Sequence, residues 1–238
     1  MAKERLDKLI ASTGRWSRRE VKTLVREGRV LVDGRIADSA EEKYDAESCR
    51  IAVNGEELLL RRHTYVMLHK PAGVLSATED GRGRTVLDLL TPELRKIGVF
   101  PVGRLDKDTE GLLLLTDDGE LAHALLSPKK HVDKVYYARV SGRLAPEDCA
   151  AFEAGMTLGD GLECLPAGLE ILAAGETSEC LVTLREGKFH QVKRMLAARG
   201  KPVEYLKRLS MGSLRLDDTL APGEFRLLTA AEEAQLQR

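Results

Sequence analysis

The chemistry-bearing residues concentrate in one short stretch, Gly103-Arg104-Leu105-Asp106-Lys107-Asp108-Thr109-Glu110-Gly111. Three acids, two basic residues and two glycines lie between apolar segments, the arrangement in which rigid strands hold a polar loop that carries function. Asp106, Asp108, Glu110, Gly111 and Asp117 fall at positions 1, 3, 5, 6 and 12 of a calcium-binding EF-hand loop. Position 12, however, is Asp117 where a bidentate Glu is needed, and position 9 is Leu114. The flanks read as strands, whereas an EF-hand needs helices. A glycosidase needs two carboxylates at a fixed separation. Asp106 and Asp108 stand two apart, and that pair is a poor source of a facing carboxylate dyad. A single working carboxylate fits the loop better.

Other groups could join it. Tyr136 and Tyr137 are adjacent in the β-rich run Lys134–Val140, so their rings face opposite sides of a sheet. One ring can stack on a ligand while the other packs in the core. Phe189, Val192, Met195 and Leu196 mark a helix stopped by Gly200 and Pro202. Lys193 lies about 90° from the centre of that apolar stripe. Such a boundary position can lean into a cleft and pair with Asp106. Arg194, one residue on, points away from the stripe and suits a phosphate contact.

The elements that must position these groups alternate irregularly. Tyr65–Lys70 reads as a strand before the Pro71–Gly73 turn, Thr85–Leu90 as a short helix, and Val99–Val102 as extended chain. Leu112–Leu115 is a buried strand. Leu121, Ala124 and Leu125 form a short helix ended by Pro128. A helix is expected near 146–154, a strand at Cys180–Arg185 and a terminal helix at Leu228–Leu236. The fold class is therefore α+β, with a mixed, largely antiparallel sheet and flanking helices.

The first 61 residues make a separate small module. Leu6, Leu9 and Ile10 have helical spacing, and Ser17-Arg18-Arg19-Glu20 is a capping box with Trp16 and Val21 set for a hydrophobic staple. Val21, Leu24 and Val25 continue the stripe to a stop at Gly28. Arg18, Lys22 and Arg26 form a basic ridge on another face. Asp33-Gly34 and Asn54-Gly55 are hairpin turns. The domain boundaries expected are 1–61 and 62–238.

With 238 residues, 43% of them hydrophobic, the chain can bury a real core. The net charge of -1 excludes a uniformly basic protein but hides opposed blocks. Residues 1–35 hold 10 Lys and Arg against 5 acids, and residues 185–215 hold 9 against 2. Residues 36–60 and 141–180 are correspondingly acidic. Two separated basic segments are an electrostatic footprint for a polyanion. Cys49, Cys149, Cys164 and Cys180 lack zinc-ligand spacing and read as reduced core thiols. The start carries no apolar signal segment, and no run is long enough to span a membrane, so a cytoplasmic protein is expected.

Four ordered motifs carry a family resemblance. Gly-Arg-Leu-Asp-x-x-Thr-x-Gly-Leu-Leu-Leu-Leu-Thr at 103–116 resembles the catalytic motif of the bacterial ribosomal-RNA pseudouridine synthases of the RsuA type. Lys70-Pro71-Ala72-Gly73 resembles that family's first motif, and Lys134-Val135-Tyr136 the strand with its active-site tyrosine. Glu186–Met195 resembles its third motif. Arg5-Leu6-Asp7-Lys8, the capped basic helix and Gly28–Gly34 resemble the αL-type RNA-binding module of the ribosomal protein S-four family, which this family carries at its N-terminus. The match covers nearly the whole chain, with residues 141–180 the least distinctive.

The resemblance implies the pseudouridine synthase fold and its reaction. The bond from the uracil nitrogen to the sugar breaks, the base turns, and its carbon 5 is joined to the sugar. No redox change occurs and no metal or nucleotide cofactor is needed. The sequence likewise lacks G-x-G-x-x-G and Walker motifs. Asp106 becomes the catalytic carboxylate, whether it attacks a carbon or removes a sugar proton. Tyr136 becomes the base-stacking group and a proton acceptor from carbon 5, and Lys193 the partner of Asp106. A uridine in stacked RNA must first be flipped out, and Arg104 matches the residue that fills the gap. RNA contacts are expected at Arg104, Arg194, Arg5, Arg18, Arg19, Lys22, Arg29 and Lys70. The expected partner is ribosomal RNA or a ribosomal assembly intermediate, met by a monomer. Phe189-His190 resembles the small-subunit enzyme, since large-subunit relatives more often carry Asn-Arg there. A large-subunit enzyme, a non-catalytic assembly factor and a hydrolytic N-glycosidase are the rival readings.

Overall fold

The computed structural model describes residues 3–46, 48–81, 83–127 and 130–236, which group into two compact units. The first runs to Thr64 and also takes in Leu90–Val99; the second holds Tyr65–Leu89 and the chain from Phe100 onward. The division is thus not a single cut along the chain.

In the first unit, helices α1 (Leu6–Ala11) and α2 (Arg18–Arg26) pack their apolar stripes on a four-stranded sheet. Its strands are β1 (Val30–Val32), β2 (Arg35–Ile36), β3 (Ile51–Val53) and β4 (Glu56–Glu57), in the order β2-β1-β3-β4. The capping box forms: the Glu20 amide donates to the Ser17 hydroxyl, and the Ser17 amide donates to the Glu20 carboxylate at 2.6 Å. Both hairpins turn on left-handed pairs, Asp33-Gly34 and Asn54-Gly55. Leu6, Ile10, Val21, Val30 and Ile51 are fully buried, with Trp16 packed against them. A third helix, α3 (Pro92–Ile97), capped by Thr91, was not legible in the sequence. It joins this unit at Gly14, where a Cβ would sit 2.2 Å from the Glu93 carbonyl oxygen, so no side chain fits between the two backbones.

The second unit is built on one sheet. Its strands are β5 (Tyr65–Lys70), β6 (Glu110–Thr116), β7 (Lys134–Ser141), β8 (Gly168–Ala173), β9 (Thr177–Leu184), β10 (Val203–Met211) and β11 (Phe225–Leu227). The order is β8-β9-β7-β10-β6-β5-β11, with short strands at Phe100–Pro101 and Leu214–Arg215 beside β6 and β10. Among the described residues every pairing in it is antiparallel except β10 with β6, so the expected α+β class with a largely antiparallel sheet holds. β5 and β6 are covered on both faces, which is why Leu112–Leu115 reads as an unbroken apolar run. β7 and β9 alternate buried and accessible residues.

Helices α4 (Gly119–Leu126), α5 (Pro146–Ala154), α6 (Gln191–Ala198) and α7 (Ala230–Leu236) flank the sheet. The helix expected at Thr85–Leu90 is a 3-10 turn over Val86–Leu89. Pro128, expected to end α4, lies outside the described residues. Cys164 and Cys180 are buried, Cys49 and Cys149 partly so, and all four are unbonded. No helix among the described residues is long and apolar enough to cross a membrane.

Candidate active site

The loop at 103–109 is positioned from below by a lysine. Lys70, at the end of β5, is fully buried, and its ammonium donates to the carbonyls of Pro71, Asp106, Lys107 and Thr109 at 2.9–3.2 Å. This corrects the expectation that Lys70 contacts RNA: the side chain reaches inward along the strand and is spent on backbone carbonyls. Burial pushes its pKa down to about 8. The Ser76 hydroxyl clamps the same loop, donating to the Leu105 carbonyl at 2.9 Å and accepting from its amide at 3.0 Å. On the far side, β6 enters the sheet beside β10 through Gly111. Its φ is +105°, and a Cβ there would lie 2.3 Å from the Arg208 carbonyl oxygen. Only glycine allows so close a backbone approach. Glu110 then accepts from the Tyr205 hydroxyl at 2.8 Å, and burial with that bond raises the Tyr205 pKa to about 12.

The loop forms one wall of a cleft of about 700 Å³. Asp106 lies in it with its carboxylate part-exposed, and Tyr136 lines it with its ring buried. The segment 186–190 forms the opposite wall, and Gln191, Val192 and Lys193 of helix α6 line a smaller pocket together with Asp106 and Tyr136. The Lys193 ammonium stands 3.5 Å from Asp106 Oδ2 and 2.5 Å from Asp108 Oδ1. The structure therefore brings Asp106, Tyr136 and Lys193 together, but Lys193 bonds more closely to Asp108 than to Asp106. That bond holds the Asp108 carboxyl below its ordinary pKa. Tyr137 faces away and meets Tyr205 edge to face at 6.0 Å.

Three nearby cationic or cation-forming groups escaped the sequence reading. His190 Nε2 lies 3.5 Å from Asp106 Oδ1. Lys134 and Arg208 line the cleft yet are 8% and 2% exposed, and neither has a carboxylate partner among the described residues. Arg208 donates from Nε to the Leu112 carbonyl at 2.8 Å. Burial, then the charge of Arg208, lowers the Lys134 pKa. Strand alternation places Lys134 on the face of Tyr136, the one signal that could have found it. Among the described residues no group of three His, Cys, Asp or Glu side chains is arranged to hold a metal.

The expected RNA contacts divide sharply. Arg104 is exposed at the cleft and Arg19 is exposed on α2, both without a side-chain partner among the described residues. Arg194 pairs with Asp160. Arg5 and Arg18 both bond the buried Asp7, at 2.9 Å. Burial opposes ionisation of Asp7, yet the two guanidiniums keep its pKa below the ordinary value. Lys22 pairs with Glu41, and Arg29 with Glu27. Much of the basic ridge thus neutralises carboxylates of its own unit.

A two-unit chain with this sheet, and with an aspartate set between a lysine and a tyrosine in a cleft, matches one family. Residues 64–198 fit the model of the RNA pseudouridylate synthases, and residues 4–48 that of the S4 domain. The chain belongs to the RNA pseudouridylate synthase family, with an S4 domain at its N-terminus. It is 50% identical to an uncharacterized RNA pseudouridine synthase of Bacillus subtilis, over 96% of each chain. It is 40% identical to ribosomal small subunit pseudouridine synthase A of Vibrio cholerae, over 98% of this chain and 99% of that one. Identity to ribosomal large subunit pseudouridine synthase B of Bacillus subtilis is 39%, over 98% and 96%. A crystal structure of a pseudouridylate synthase superposes with a TM-score of 0.68 at 35% identity, covering 98% of this chain and 99% of that one.

Proposed function

We propose that this protein isomerises a uridine of small-subunit ribosomal RNA to pseudouridine, with Asp106 as the catalytic carboxylate. The observation that carries the reading is the Asp106 carboxylate, open to a cleft that Tyr136 lines, with Lys193 and His190 each 3.5 Å away. Attack on a carbon of the nucleotide and removal of a sugar proton both require the carboxylate form of Asp106, and the Lys193 ammonium lies within ion-pair distance of it. The uracil leaves the sugar, turns against the Tyr136 ring, and is rejoined through carbon 5. Carbon 5 then releases its proton to the Tyr136 oxygen as that hydroxyl gives up its own, and the freed ring nitrogen gains one, so no proton is lost overall. Arg104, exposed beside Asp106, fills the gap left in the RNA by the flipped base.

Arg194 and Arg19 contact phosphates, Arg194 by exchanging Asp160 for RNA. Arg5, Arg18, Lys22 and Arg29 contribute mainly by holding their unit together. We assign residues 1–61 to RNA binding and 62–238 to catalysis, in a cytoplasmic monomer acting on ribosomal RNA or an assembly intermediate. The small-subunit choice rests on Phe189-His190 in the motif at 186–195. Mapping pseudouridines in both ribosomal RNAs, with and without the gene, tests the proposal. A site lost from small-subunit RNA supports it. A site lost from large-subunit RNA replaces the substrate, and loss of none refutes the activity.

A further inference from the structure

We propose that Phe189 is a stacking platform for the nucleobase adjacent to the target uridine. The proposal rests on the reading of the cleft as a uridine-isomerising site. Phe189 is 71% exposed, although a phenylalanine left in water forgoes the stabilisation that burial would bring. It is not placed at random on the surface. It lines the same cleft as Asp106 and Tyr136, and its ring stacks on His190 with centroids 3.8 Å apart and planes 18° from parallel. His190 in turn reaches Asp106.

The backbone makes this pair. Consecutive side chains on an extended strand point to opposite sides. His190 instead adopts the left-handed conformation, with φ of +51°, immediately before α6, and residues 189 and 190 fall face to face. Histidine is among the residues that accept that conformation most readily. The turn is fixed by Gln191, 3% exposed, whose side chain accepts from the Lys188 amide at 3.0 Å and donates to Glu186 at 2.6 Å. The platform is therefore set before RNA arrives.

One face of the Phe189 ring covers His190, and with 71% of the residue exposed the ring remains accessible to a ligand. The step from His190 to Phe189 is close to the spacing of stacked bases, so a base laid on the other face continues the stack. That base is not the target. The uracil that reacts must reach Asp106 and Tyr136, and of the stacked pair it is His190 whose ring reaches Asp106, at 3.5 Å. The ring thus meets a neighbour, held by its π-face, which every base possesses. A phenyl ring offers no hydrogen bond, so the platform adds affinity and registers the RNA without dictating the neighbour's identity.

The test uses the full-length enzyme and a transcript spanning the mapped uridine, with Phe189→Trp, Tyr, Leu and Ala. Base–aromatic stacking predicts that Ala raises KM roughly 5- to 150-fold. Leu, which keeps volume but loses the π-face, should fall near Ala, while Trp and Tyr stay within about threefold of wild type. In the same transcript, an abasic residue on one side of the target should cost the wild type a similar factor and cost Phe189→Ala almost nothing further. Wild-type KM in the Leu variant overturns the proposal, because apolar contact then suffices. A change in kcat alone also overturns it, since the ring then acts through His190 on Asp106. A wild-type enzyme that forms no pseudouridine in any ribosomal RNA removes the underlying reading, and this inference with it.

Discussion

Lys70→Met tests whether one buried ammonium holds the loop that carries Asp106. The methionine fills nearly the same volume but donates nothing to the carbonyls of Asp106, Lys107 and Thr109, now bonded at 2.9–3.2 Å. Each buried acceptor left unpaired costs about 1–3 kcal/mol. Relaxation of an exposed-edged loop recovers part of that, so a net loss of about 3 kcal/mol is expected. At about 2–4 °C per kcal/mol for a chain of this size, the melting transition should fall by roughly 6–12 °C. Displacing the Asp106 backbone by an ångström should lower kcat on the order of a hundredfold. The Lys70 pKa, near 8 in the fold against 10.5 as the ordinary value, adds a pH signature. Between those values the unfolded chain keeps a proton that the folded chain has released, so wild-type stability rises with pH across the window. The variant lacks that rise, and the gap between the two proteins widens from pH 8 to pH 10.5. Thermal melts at a series of pH values, with single-turnover assays on ribosomal RNA transcript, read all three effects. A variant that melts within about 1 °C of wild type and turns over normally refutes the anchoring role.

Asp106→Asn, nearly isosteric, should abolish product while RNA affinity holds or rises slightly, as one charge facing phosphate disappears. Asp108→Asn and Glu110→Gln should keep substantial activity; if Asp108→Asn alone is dead, the two aspartates have been assigned the wrong way round. Tyr136→Phe keeps the ring but not the hydroxyl, and rates should drop by roughly 10²–10⁴ if that oxygen moves a proton. A loss under about tenfold leaves it a stacking surface only. Arg19→Gln should weaken RNA binding and reduce the slope of log K against log salt by roughly 0.7–0.9; the same change at Arg18, bonded to Asp7, should cost stability instead, and titrations paired with melts distinguish the two.

Local chemistry carried far in this chain. The capping box at Ser17, the Asp33-Gly34 and Asn54-Gly55 turns and the buried run at Leu112–Leu115 each state their structure in adjacent residues, because caps, turns and strand periodicity act over a few positions. Residue order likewise singled out Asp106, and a fixed spacing placed Lys193 at the edge of its helix stripe. What adjacency does not encode is which side chains meet across the sheet. Lys70 and Arg19 look equally basic in sequence, yet one is walled in by four carbonyls and the other stands in water. α3 joins the first unit through a close approach at Gly14, 79 positions from Glu93. His190 meets Asp106 only because its left-handed turn and the pairing of β6 with β10 bring residues 186–190 against the loop that carries Asp106. The sequence determined the pieces and marked the loop that carries Asp106 as the candidate for chemistry. Tertiary packing decided which charges are buried, which are neutralised and which are left exposed, because desolvation and ion pairing depend on distances that only the folded chain sets.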